Sequence, residues 1–201
     1  PKHTLDPSLE RWNKKYQEIA PFPEPNPRLI QNRSLLPPRG TALDLASGLG
    51  ADALYLAKCG FSVTAWDGSE VALQRMQEEA HHLSLTVQSI CAPIEAGALE
   101  GYQFDLIYVH RFLDRALFPD LIQALNPLGC LFYETFTAEA FEPKEKSLGP
   151  KNPSYLLQAN ELLDLCQPLR TRLFMDGLTA NPEGGYIRTS KSLLIAEKGP
   201  T

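Results

Sequence analysis

Asp44 lies within the short apolar run Ala42-Leu43-Asp44-Leu45; Gly48 and Gly50 follow four and six residues later, and Asp67 stands seventeen residues beyond Gly50. The run is too short for a helix, and the glycines after it let the backbone turn sharply and approach a ligand closely. The segment from Ala51 to about Cys59 then reads as a helix whose first N–H groups point over the turn. Phe61-Ser62-Val63-Thr64-Ala65-Trp66 alternates like a strand and delivers Asp67 to its C-terminal end, where open α/β sheets bind their ligands. A carboxylate there accepts both hydrogen bonds of a ribose diol, so the pattern implies a cofactor that contains adenosine.

Gly48-x-Gly50-x-x-Ala53 also satisfies the loose form of the dinucleotide fingerprint. The residue that discriminates is Asp44. A carboxylate at the strand end crowds a pyrophosphate but suits the ammonium of an amino acid, which favours S-adenosylmethionine (SAM). A NAD-dependent oxidoreductase is the competing reading, opposed by Asp44 and by the lack of a Tyr-x-x-x-Lys pair. A catalytically silent SAM-binding or partner-binding protein is the other.

The stretch Leu43–Gly50 resembles motif I of the class I SAM-dependent methyltransferases, D-x-x-x-G-x-G, and Val63–Ser69 resembles their second-strand motif with its ribose-binding acid. The order of Trp12, Tyr16, a proline-rich lead, motif I, His110-Arg111-Phe112-Leu113-Asp114-Arg115 and Tyr133-Glu134-Thr135-Phe136 is similar to the small tellurite-resistance and thiopurine-type members. The resemblance implies cofactor contacts from Trp12, Tyr16, Asp44, Ala46, Ser47, Gly48, Gly50, Asp67, Gly68, Ser69, Cys91, Ala92 and His110. In two places the chain departs from the pattern. Ala46-Ser47 replaces the usual Gly-Cys, and Cys91-Ala92 stands where many relatives carry an acid that meets the adenine amino group. Adenine recognition here must therefore use backbone or apolar contacts.

The elements that must position these residues follow in order. Asp6-Pro7 is an N-cap and first-turn pair for a helix to about Ile19, with Leu9, Trp12 and Tyr16 on one face. In the resembling family this segment closes over the cofactor, and an aromatic beside a sulfonium gains cation–π attraction. Pro21, Pro23, Pro25 and Pro27 make a stiff strap, followed by a helix near 27–36 and by strands near 40–45, 61–66, 85–90, 104–109 and 130–136. Between them come a helix from Glu70 to about Leu83, with Ser69 as its N-cap, and one from Pro119 to about Asn126. A helix near 159–166, a strand near 171–175 and a last strand 190–197 complete the chain. The expected fold is α/β: a single Rossmann-like, doubly wound domain with a seven-stranded, mostly parallel sheet, an antiparallel last strand and helices on both faces. Residues 1–39 form the helix and strap, and residues 40–201 the core. The aperiodic stretch 137–153 reads as a lid over the acceptor.

With 201 residues, 43% of them apolar, the chain suffices for one domain with a substantial core. A formal charge of −5 disfavours nucleic acid as partner. The lack of a long apolar stretch and of a signal-peptide core leads to the expectation of a cytoplasmic protein without membrane contact, monomer or homodimer. Cys59, Cys91, Cys130 and Cys166 are scattered and read as free core thiols, His81-His82 as solvent-facing, and no metal is expected.

Methyl transfer from a sulfonium is an in-line displacement that needs mainly a held and desolvated acceptor. His110 and Arg111 are the catalytic candidates, His110 as a base for an acceptor with a proton to lose. Arg111, Arg115 and Glu134 are candidates for binding a small, soft or anionic acceptor.

Overall fold

The computed structural model describes residues 6–139 and 149–201. The chain divides into two compact units, 1–98 and 99–201.

The first unit begins with α1 (Pro7–Glu18), capped by Asp6, whose carboxylate accepts the Ser8 N–H at 2.9 Å. The same device opens α2 (Pro27–Gln31), where Asn26 accepts the Arg28 N–H at 3.1 Å. In both, proline occupies the first turn, where no N–H is needed. The expected helix to Leu36 stops early, at Gln31, and a 3-10 turn, Arg33–Leu35, follows. Asn32 gives the physical reason: its side-chain amide donates to the Arg28 carbonyl at 2.8 Å, a local bond that competes with helix continuation.

Next come β1 (Gly40–Leu45), α3 (Ala51–Lys58), β2 (Phe61–Asp67), α4 (Glu70–His82) and β3 (Val87–Cys91). The three strands are parallel, in a register that sets Asp44 beside Ala65 and Asp67 beside Cys91. Ala42, Leu43, Asp44 and Leu45 are all buried, as expected of a parallel strand covered on both faces. Ser69 caps α4 by accepting the Ala72 N–H at 3.1 Å, and Ala72, Leu73, Met76 and Ala80 form that helix's buried face.

The second unit holds β4 (Phe104–His110), α5 (Phe118–Gln123), β5 (Leu125–Phe136), α6 (Glu161–Leu165), β6 (Arg170–Ala180) and β7 (Tyr186–Glu197). β4 and β5 are parallel, with His110 opposite Glu134, whereas β7 runs antiparallel to both β5 and β6. Both strands of the last hairpin are longer than expected, 170–180 and 186–197, because residues 178–180 pair with 186–188 beyond the part of β7 that meets β5. Across the chain the strand order is β3-β2-β1-β4-β5-β7-β6, so the expected seven-stranded mixed sheet is present.

The thiols do not all lie in the core: Cys130 and Cys166 are buried and burial pushes each up to about 12, whereas Cys91 is exposed and Cys59 half-buried. His81 and His82 are both exposed. Most of the expected lid, residues 140–148, lies outside the described residues. At its edges, the Thr137 hydroxyl donates to the Glu139 carbonyl at 3.0 Å and the Leu157 N–H to the Phe136 carbonyl at 2.9 Å. Among the described residues no helix is long and apolar enough to cross a membrane.

Candidate functional site

The chain leaves β1 at Leu45 and turns through Ala46-Ser47-Gly48-Leu49-Gly50 into α3. Three of these five residues are left-handed: Ala46 at φ 58°, Gly48 at φ 54° and Gly50 at φ 74°. The turn is tied to β2 by the Ser47 N–H donating to the Trp66 carbonyl at 3.2 Å. It is tied to Asp67 as well, whose carboxylate accepts the Gly48 N–H and the Ser69 N–H, each at 2.8 Å. Asp67 is thus a loop-holding residue besides its expected role with ribose. Each of its oxygens keeps a second lone-pair direction for a ligand. Burial raises its pKa although these amides oppose the shift.

The two glycines are needed for different reasons. A Cβ at Gly48 would stand 3.0 Å from the Tyr16 hydroxyl, so this glycine accommodates the ring brought over the loop by α1. A Cβ at Gly50 would lie 2.5 Å from Cγ and Sδ of Met76, so that glycine is required by the packing of α4. Both glycines thus have a packing reason beside the ligand approach expected of them. Ala46 takes a conformation that costs a non-glycine residue about 1–2 kcal/mol. Ala46→Gly is therefore expected to stabilise the protein by about 0.5–1 kcal/mol after the greater unfolded-chain freedom of glycine is allowed for. A urea midpoint that does not rise would remove the strain argument.

Gly50 cannot cap α3 with a side chain, and the Ala53 N–H of its first turn favours the ionised form of Asp44, though not enough to offset burial. Asp44 is 2% exposed, and its Oδ2 has no hydrogen-bond partner among the described residues. Burial, then the negative charges of Asp52 and Asp67, hold its carboxyl well above the usual carboxylate range. Ser47 Oγ is likewise buried without a partner. Two buried acceptors left unsatisfied within four residues are costly, and a ligand ammonium would supply the missing donors. The residues present therefore fit the amino-acid end of SAM.

α1 lies against α4 through polar contacts, with no residue of its own fully buried. The Arg75 guanidinium donates to the Tyr16 and Ile19 carbonyls at 2.6 and 2.7 Å, and the Ser69 hydroxyl donates to Asn13 Oδ1 at 2.5 Å. Trp12 stacks on Tyr16 with centroids 5.6 Å apart and remains 41% exposed, with the Lys15 ammonium 4.5 Å from its ring. Burial, then the charges of Asp67 and Asp44, raise the Tyr16 pKa and keep its phenol neutral. Asn13 and Arg75 escaped sequence reasoning because single polar residues on amphipathic helices resemble solvent-facing ones. At the end of β3, Cys91 Sγ stands 3.8 Å from the Gly68 carbonyl, and the Trp66 indole donates to the Ala92 carbonyl at 3.1 Å.

In the second unit, β4 ends at His110, whose Nε2 stands 3.1 Å from Oε1 of Glu134. Glu134 is fully buried and His110 15% exposed, so Glu134 meets the histidine rather than lining an open pocket. Arg111 turns the chain at φ 58° with its N–H donating to the Glu134 carbonyl at 2.9 Å, and its side chain is exposed. Arg115, expected beside Arg111 as an acceptor ligand, is otherwise engaged. Its Nε and Nη2 grip Glu161 at 2.5 and 2.9 Å, and its Nη1 and Nη2 donate to the Ser154 and Leu156 carbonyls at 2.6 and 2.9 Å. The fork pairs bidentately with a carboxylate and ties down residues 154–161, which takes Arg115 out of the acceptor set. Among the described residues no cluster of His, Cys, Asp and Glu could hold a metal.

Residues 42–129 match the family described as "Methyltransferase domain". Over 86 residues the chain is 32% identical to the probable S-adenosyl-L-methionine-dependent methyltransferase TehB of Haemophilus influenzae (strain 10810); the match covers 42% of this chain and 30% of that relative. The chain thus spans under a third of the length of the curated relatives it matches. Its fold is shared with the solved TehB from Haemophilus influenzae at a TM-score of 0.69 and 19% identity, covering 94% of this chain and 66% of that one. It is shared too with a SAM-dependent methyltransferase from Aquifex aeolicus at 0.65 and 18% identity, covering 92% and 97%. A third neighbour, solved in work on the conversion of a disulfide bond into a thioacetal group during echinomycin biosynthesis, gives 0.73 at 20% identity, covering 96% and 92%. Residues 42–129 thus resemble a methyltransferase domain, and the chain shares its fold with solved SAM-dependent methyltransferases and is similar in sequence to the probable S-adenosyl-L-methionine-dependent methyltransferase TehB.

Proposed function

We propose that this protein transfers a methyl group from SAM, by in-line displacement, to a small, soft or anionic acceptor. The observation that carries the reading is the loop between Asp44 and Asp67: left-handed glycines, a carboxylate tied to the loop amide of Gly48, and a second, buried carboxylate with an unpartnered oxygen. Asp44 would receive the ammonium, Asp67 the ribose hydroxyls, and Tyr16 would lie over the amino-acid end. When bound, SAM supplies the electrophilic methyl group. The placement of the antiparallel β7 between β5 and β6 differs from the all-parallel order 3-2-1-4-5-6 of dinucleotide-binding sheets and disfavours the oxidoreductase reading.

For the acceptor, Arg111 is the proposed anion contact and His110 the proposed base, with Glu134 holding the imidazole. The acidic chain and the engagement of Arg115 leave no concentrated basic surface at this point of the sequence for a long polyanion. The reading predicts that S-adenosylhomocysteine at 100 times its Kd stabilises the protein by about 2.7 kcal/mol, a rise in melting temperature of about 5–10 °C. NADH and NADPH should give none. A larger shift from a nicotinamide cofactor refutes the reading. Release of S-adenosylhomocysteine from SAM on addition of thiols, phenols or selenium and tellurium oxyanions tests the acceptor class, which activity confined to nucleic acid or protein would overturn.

A further inference from the structure

We propose that cofactor binding expels one proton from the Asp44 carboxyl, so that the site is charge-neutral at this residue when empty and becomes anionic only against an incoming ammonium. The inference rests on the cofactor reading above and adds to it a linked proton.

Geometry carries it. Asp44 is 2% exposed at the end of a strand buried on both faces, and its Oδ2 has no hydrogen-bond partner among the described residues. An ionised carboxylate so placed lacks the solvation or counter-charge that a buried ion requires. Among the described residues, the charges that raise its pKa are those of Asp52 from α3 and Asp67 from β2, both negative, and the Tyr16 phenol of α1, which couples to it, is neutral. The guanidinium of Arg75 on α4 is engaged with the Tyr16 and Ile19 carbonyls. Asp52 accepts the Asn26 N–H at 2.7 Å, and Asp67 holds two amides, so each of these neighbours has the donors that Asp44 Oδ2 lacks. The direction of the Asp44 pKa, well above the usual range, agrees. In the free protein, therefore, Oδ2 carries the hydrogen.

Docking of an α-ammonium changes the balance. The Asp44 O–H bond breaks, the proton passes to buffer, and the carboxylate pairs with the ammonium, which remains protonated throughout. The sign follows from linkage. Below the pKa of the free carboxyl the proton must leave on binding, so affinity rises by up to about tenfold per pH unit and levels off above that pKa. The ammonium selects this state, and an adenosine ligand without an amino-acid tail does not.

Calorimetric titration of the intact protein with S-adenosylhomocysteine, in buffers of differing ionisation enthalpy from about pH 5 to about pH 8, counts the protons. The expected result is release of up to about one proton at the acid end, declining as pH rises. With 5′-methylthioadenosine, which lacks the amino-acid tail, no release is expected, nor with S-adenosylhomocysteine on Asp44→Asn. A binding heat independent of buffer at every pH overturns the inference and leaves the cofactor reading intact. Equal release with methylthioadenosine, or undiminished release by Asp44→Asn, overturns the assignment to Asp44. Absence of any binding by S-adenosylhomocysteine overturns the cofactor reading itself. If Asp44→Asn fails to fold, the comparison of the two ligands on the unaltered protein decides the matter alone.

Discussion

Asp67→Ala is expected to weaken SAM by about a hundredfold or more, in a protein that stays folded. Two charge-assisted hydrogen bonds to ribose at roughly 1.5–3 kcal/mol each, at 1.4 kcal/mol per decade of affinity, give a loss of this size. The structure adds a second route to the same loss. Asp67 accepts the Gly48 and Ser69 amides at 2.8 Å, so its removal also releases the turn between β1 and α3 and leaves two N–H groups without their acceptor. Asp67→Asn keeps one acceptor oxygen and should fall between the parent and Asp67→Ala. Calorimetry is the measurement, with circular dichroism to establish folding. An unchanged Kd in a folded Asp67→Ala variant would take this residue out of the site.

Gly50→Ala carries the largest expected effect on stability. Its φ of 74° costs an alanine about 1–2 kcal/mol, and a Cβ 2.5 Å from Cγ and Sδ of Met76 adds about 1–3 kcal/mol of overpacking. A total loss of about 3 kcal/mol should appear as a lower urea midpoint with little change in slope. The two parts separate in a double-mutant cycle. In a Met76→Ala background the side chain that collides is gone, so the same glycine substitution should cost only the conformational part, about 1–2 kcal/mol. Equal costs in the two backgrounds would show that the α4 contact is not what requires glycine at this position. Gly48→Ala differs in kind, since there the Cβ meets a hydroxyl of Tyr16, on a helix held by polar contacts.

Much of the chain was legible because its signals are local. Asp6-Pro7 and Ser69 announce helix starts within three residues of themselves, and the structure has caps at both. The four-residue apolar run into glycine marks β1 and its turn, since a strand buried on both faces needs continuous apolar residues and the reversal needs positive φ. The spacing from Asp44 through Gly48 to Asp67 is likewise a property of one strand-turn-helix-strand unit. Other features depended on partners far along the chain, which leave no period to read. Arg115 looked like an exposed cation; the carboxylate that engages it, Glu161, lies 46 residues away. Glu134 looked like a pocket acid until the β4–β5 register set it, fully buried, against His110. The Gly50 requirement comes from Met76 on α4, and the seat of α1 from Arg75, 56 and 59 residues from the carbonyls it binds. Local propensity and spacing are written in neighbouring residues and survive in the sequence, whereas the choice of salt-bridge partner, the depth at which a carboxylate is buried and the atom that a missing side chain would strike are decided only when distant segments pack.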